Sequence, residues 1–203
     1  SDHGESLGEH GYQYAHGETL YEGGIRVPLV VRFPGVVAAG TRLAGPAMNV
    51  DVAPTLLALA GVGGMQSVEG RPLLTLDGTG AARHAVAART RATVWSETDI
   101  AGLHKENPRR FIDGPPGRWT AASDGRFKLI QIPRPGGEIL ELYDLGADPG
   151  ELRNLAEDPA RQEDRARLYR AIKEFADYGT GVTVPGGAAA EDRERLRALG
   201  YFN

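Results

Sequence analysis

The sequence predicts an α/β protein whose first part belongs to a mostly parallel sheet and whose second part is a smaller α+β unit built on an antiparallel sheet. Three observations predict it. Residues 27–33 form an apolar run broken only by Pro28 and Arg32, the pattern of a strand covered on both faces. Residues 51–61 carry helix signals at both ends. Beyond residue 90, short β-rich segments are spaced by Gly and Pro turns, as in an antiparallel sheet. The expected division is therefore 1–90 and 91–203.

Taken in order, Pro28 limits the 27–33 strand to an edge or to its opening residues, because proline cannot donate to a ladder. The helix that follows has Asp51 near its N-cap, Pro54 in its first turn and Gly61 at its left-handed exit. Its apolar residues run all round, which predicts burial on every side. Residues 61–64 and 75–83 are turn-rich, and 81–90 reads as a short helix or a loop. Strands are expected over 93–97, 119–123, 126–132 and 139–145. Asp124-Gly125 is the clearest hairpin turn, since both residue types tolerate positive φ. Residues 162–178 form a charged amphipathic helix with Leu168, Ala171, Ile172 and Phe175 on one face. A last helix over 191–199 follows a small-residue linker at 186–190.

Composition narrows the function classes. With 41% hydrophobic residues in 203, the chain has enough apolar mass for a core. A net charge of −4, evenly spread, gives no basic stripe for nucleic acid or an anionic membrane. No stretch approaches the ~20 apolar residues of a membrane span, and no signal segment is recognisable. The absence of Cys excludes disulfides and thiolate metal sites and leaves the compartment undetermined.

The chemistry starts at Asp2-His3-Gly4. A carboxylate and an imidazole on consecutive residues can reach one cation only where the backbone turns away, and Gly4 permits that exit. Two ligands leave a site incomplete, because zinc takes about four donors and calcium or magnesium about six or more.

The order of Ser1-Asp-His-Gly-Glu5, Gly8-Glu-His-Gly11, His16-Gly17, Leu20-Tyr-Glu-Gly-Gly-Ile-Arg-Val-Pro28, Asp51-Val-Ala-Pro-Thr55, Gly70-Arg-Pro72, Arg126-Phe-Lys-Leu-Ile130, Leu142-Tyr-Asp-Leu145 and Asp148-Pro-Gly-Glu151 resembles the sulfatase family across nearly the whole chain. The resemblance implies the later part of an alkaline-phosphatase-like sheet domain followed by the α+β unit. It also implies a formylglycine nucleophile made from Cys or Ser in a C/S-x-P-x-R motif. No such motif occurs in these 203 residues, so they are expected to be a C-terminal portion that does not turn over alone, with the catalytic nucleophile on an upstream part.

By the same resemblance Asp2 and His3 are expected metal ligands, with Ca²⁺ favoured and Mg²⁺, Mn²⁺ or Zn²⁺ as alternatives. His16 is the expected sulfate contact or general acid, standing where many members carry Lys. His104, with Lys105 and the Arg109-Arg110 pair, is expected to border the substrate pocket. The implied partner is a sulfated small molecule or glycan, and the activity is sulfuric ester hydrolysis. The alternatives are phosphate or phosphonate ester hydrolysis, or a non-catalytic fragment. His10 reads as loop-stabilising, Arg26 as a partner of Glu22, Asp51 as a cap and Lys128 as structural.

Overall fold

The computed structural model describes residues 1–62, 69–78, 83–88, 91–98 and 118–180. Its centre is a four-stranded antiparallel meander in the order β5-β6-β7-β8, with β5 at Val94–Thr98, β6 at Trp119–Ser123, β7 at Phe127–Arg134 and β8 at Gly137–Asp144. The expected strands fall on these segments. The β6–β7 turn forms as the Asp124-Gly125 pair predicts. Asp124 Oδ1 accepts from the backbone N–H of Arg126 (2.8 Å) and of Phe127 (2.7 Å), while Gly125 takes φ 91°.

Alternation along these strands feeds two cores. Ala122, Phe127, Leu129 and Leu142 pack with Leu168 and Ile172 of helix α3, Gln162–Thr180, whose apolar stripe was legible from its 3.6-residue period. Trp119, Ala121, Ile130, Ile132 and Tyr143 pack with Leu20, Tyr21 and Ile25. The second core seats the N-terminal segment on the sheet. Contacts group Ser1–Ile172 as one unit, so residue 90 falls inside it; in the second unit, Lys173–Asn203, the described residues are the final turns of α3.

A lysine locks that seating. Lys128 on β7 is 1% exposed and donates to the Leu20 carbonyl (2.9 Å) and to Glu22 Oε1 (2.9 Å), and it also pairs with the buried Glu151. Glu151 in turn accepts the Glu22 N–H at 2.6 Å. Glu22 opens the one-turn helix α1, Glu22–Ile25. Beside these, Tyr21 and Tyr143 both donate to Glu141 Oε2, at 2.9 and 3.0 Å. Burial and the Glu141 carboxylate push both phenols well above the ordinary tyrosine range.

Helix α2, Val52–Ala60, ends in Gly61 at φ 71°, with Val62 N–H closing on the Leu57 carbonyl at 3.0 Å. Asp51 sits before it but makes no side-chain bond to its first turn, contrary to the cap expected; it knits three segments instead, accepting from Met48 N (3.0 Å), Arg71 N (2.8 Å) and Arg91 Nη2 (3.1 Å). Gly70 is required close by, since a Cβ there would lie 1.9 Å from the Val50 carbonyl oxygen. A separate ribbon pairs β3, Leu74–Asp77, with β4, His84–Ala87.

Three further expectations need correcting. Residues 27–33 form no strand, and among the described residues none pairs with them; Leu29, Val30 and Phe33 are 49%, 87% and 39% exposed. Val27 and Val31 are half-buried and the Ser1 ammonium donates to the Pro28 carbonyl (3.3 Å), but no strand among the described residues pairs with the run. Nor is α2 buried all round. It hides Thr55 and Leu59 and leaves Leu56 at 56% exposure. The described part of 81–90 is β4, where cross-strand pairing with β3 overrides the weak propensity of an alanine-rich stretch. The expected helix over 191–199 lies outside the described residues.

Candidate functional site

The N-terminal residues are placed from two sides. Gly4 N–H donates to the Gly24 carbonyl (2.8 Å), and a Cβ on Gly4 would lie 2.2 Å from the Gly23 carbonyl oxygen, so only glycine allows the segment to lie against α1. Asn49 Nδ2 donates to the Asp2 carbonyl at 2.8 Å, and Ser1 Oγ donates to the His3 carbonyl at 2.7 Å. The peptide that carries Asp2 and His3 is therefore fixed while both side chains stay exposed.

His3 Nδ1 lies 2.8 Å from the Gly4 carbonyl. A carbonyl can only accept, so Nδ1 carries the proton and the neutral ring keeps its lone pair on Nε2, 4.0 Å from Asp2 Oδ2. Ligating histidines commonly hold their second nitrogen on a backbone carbonyl in this way. The donor set thus suits a divalent cation: one carboxylate and one available imidazole nitrogen. The backbone N–H groups of Asp2 and His3 hold the Asp2 carboxyl below its ordinary range.

His16 arrives by a hairpin that sequence reasoning did not foresee. Strand β1, Ser6–Leu7, pairs with β2, Gln13–Ala15, around a 3₁₀ turn at Glu9–Gly11, with Ser6 opposite Ala15. One step beyond that pair stand Glu5 and His16. Glu5 Oε2 accepts from His16 Nδ1 at 2.9 Å, and the His16 ring stacks on His3 with centroids 4.3 Å apart and 16° between planes. The structure brings His3 and His16 together and adds Glu5. Its signal in the sequence is the glycine pair Gly8 and Gly11 between mirrored positions, a weak hairpin mark.

The hairpin is tethered at its turn and again just beyond its second strand. His10, at φ 54°, lays its ring on Tyr21 with centroids 3.7 Å apart, and Thr98 Oγ1 of β5 donates to the Gly17 carbonyl. His10 therefore acts in packing. Arg26 lies 4.0 Å from Glu22 and is mostly exposed, a loose pair beside the Lys128 contact. His104, Lys105 and the arginine pair at 109–110 fall outside the described residues.

His3, Glu5 and His16 offer donor atoms within 4.8 Å of one another. The stacking argues against joint chelation. Ring-nitrogen lone pairs lie in the ring planes, and nearly parallel planes do not meet at one ion. The trio as it stands is a hydrogen-bonded, stacked group.

Residues 1–62 match the family model described as Sulfatase. The chain is 32% identical over 184 residues to N-acetylglucosamine-6-O-sulfatase of Bacteroides thetaiotaomicron, covering 87% of this chain and 30% of that protein. It superposes on a solved structure of a protein in complex with its substrate D-glucosamine-2-N,6-O-disulfate, with TM-score 0.65 and 26% identity over 86% of this chain and 32% of that one. It also superposes on a phosphonate monoester hydrolase from Silicibacter pomeroyi, with TM-score 0.59 and 25% identity over 80% of this chain and 31% of that one. The chain spans about a third of the length of the curated relatives it matches.

Proposed function

We propose, from the premise that this is a sulfatase-type chain, that it forms part of a sulfuric ester hydrolase acting on a sulfated sugar or small molecule. The observation that carries the reading is the juxtaposition of the exposed Asp2–His3 pair with the His16 ring. Asp2 and His3 would hold a divalent cation, with calcium the ion the resemblance favours. A bound cation of this kind supplies charge stabilisation for ester oxygens. His16 would meet a sulfate oxygen or give a proton to the departing alkoxide, either of which lowers the barrier as negative charge develops. The formylglycine nucleophile and the remaining cation ligands would come from residues other than these 203.

The substrate class follows from the sulfated glucosamine named for one structural relative and the glucosamine sulfatase named among the sequence relatives. The phosphonate monoester hydrolase likeness supports a second reading, hydrolysis of phosphate or phosphonate esters. The test is ester hydrolysis by the longest natural polypeptide that carries these residues, offered 4-nitrophenyl sulfate and a phosphonate monoester side by side. Faster sulfate release supports the first reading and faster phosphonate release the second. Hydrolysis of neither refutes both and leaves a non-catalytic fragment.

A further inference from the structure

We propose that Glu5 is a positioning residue for His16, fixing the nitrogen that this imidazole presents to the ester. The inference rests on the role given to His16 above. Glu5 Oε2 lies 2.9 Å from His16 Nδ1, and a carboxylate accepts, so Nδ1 is the donor and Nε2 is the nitrogen left to work. This is the arrangement by which a carboxylate sets the tautomer of a catalytic imidazole. The pair does not depend on chance side-chain reach, because Glu5 and His16 flank the Ser6–Ala15 ladder pair and so face each other by register.

Two further contacts make the placement stiff. The His16 ring stacks on His3, which holds both ring planes, and the Nδ1 of each is engaged, by the Gly4 carbonyl and by Glu5, so turning either ring over breaks a hydrogen bond. The backbone on each side is also tied: Gly4 N–H to the Gly24 carbonyl, and the Gly17 carbonyl to Thr98. Both imidazoles therefore keep Nε2 as the unengaged nitrogen. His3 would offer its Nε2 lone pair to a cation, and His16, once protonated on both nitrogens, would offer its Nε2–H to an ester oxygen.

The experiment is nitrogen-15 NMR of the 203-residue chain at a pH well above the ordinary imidazole range, comparing the natural chain with E5A and E5Q. The expected result is His16 protonated at Nδ1 in the natural chain. E5A should shift the Nδ1–H to Nε2–H ratio by several-fold toward Nε2–H. E5Q should keep most of the natural ratio, because its amide oxygen still accepts. Thermal midpoints should match across the three, separating orientation from folding. A natural chain with His16 protonated at Nε2, or an E5A ratio equal to the natural one, overturns the proposal. So does stoichiometric Zn²⁺ shifting the His3 and His16 nitrogens together, which would make the trio a chelate. Loss of hydrolysis with the tautomer intact counts against the sulfatase reading alone, and hydrolysis with the wrong tautomer counts against Glu5 alone.

Discussion

Replacing Lys128 with Met keeps nearly the same side-chain length and removes the charge, so it isolates what the ammonium does beneath the N-terminal segment. Lys128 is 1% exposed, Glu151 2% and Glu22 17% at their side chains, which places two carboxylates and one cation out of water together. In K128M the carboxylates face each other with no cation, and the Leu20 carbonyl loses its donor. Breaking a buried pair by removing one partner costs about 3–5 kcal/mol. A value near the middle, about 4 kcal/mol, is expected because Glu151 still accepts the Glu22 N–H. For a chain of this size that lowers the melting midpoint by about 10 °C. Urea unfolding followed by tryptophan emission reads it directly, since Trp95 and Trp119 both stand in the sheet. Adding E151Q to K128M should recover about half of the loss by removing one stranded charge. A loss below about 1 kcal/mol, or no coupling between positions 128 and 151, would refute the reasoning.

Three more outcomes are expected. D51N should cost about 2 kcal/mol at neutral pH, because Asp51 accepts three hydrogen bonds, one of them from Arg91. Burial raises the Asp51 pKa, but the Arg71 and Met48 N–H groups and Arg91 outweigh it and the net value is lowered; the stabilisation is thus present above the ordinary Asp range and lost as pH falls through the folded value, so D51N should flatten part of the acid limb below pH ~4 in a stability titration. G4A should destabilise by about 1–3 kcal/mol and displace the N-terminal segment, because its Cβ would press on the Gly23 carbonyl; an unchanged melting midpoint with unchanged His3 NMR shifts would contradict this. In calorimetry, any Ca²⁺ or Mn²⁺ binding by the chain should disappear in D2N/H3A and survive H16A; loss in H16A alone would move the cation away from Asp2.

The parts of the fold legible in the sequence are those set by local rules. The Gly61 exit of α2 and the Asp124-Gly125 turn form as read, because each is decided within a few residues, whereas Asp51 does not cap α2: its carboxylate is taken by Met48, Arg71 and Arg91. Residues 27–33 and the outer face of α2 were misread because burial depends on what lies opposite, which hydropathy does not contain. Lys128 was legible as structural, but its depth was not. Its partners stand 106 and 23 positions away, and a lysine in a strand carries no mark of the carboxylates that will meet it. At the site, the Asp2–His3 pair is visible because its members are adjacent. Glu5 is invisible until the two-residue β1 and its glycine turn are seen to fold back, since strands so short show no alternation.

The long-range ties beneath Leu20, Tyr21 and Glu22 have a consequence for how the molecule is made. Their holders at positions 128, 141 and 151 are separated from them by 108, 120 and 129 residues. Synthesis runs from the first residue onward, so the segment bearing Asp2, His3 and His16 leaves the ribosome well before its seat exists. The meander, built from neighbouring hairpins, can close as it emerges, whereas the amino-terminal arm must wait and then dock. A ribosome that stops short of Glu151 would release a chain in which Lys128 lacks one of its two carboxylates and the Glu22 N–H lacks its acceptor.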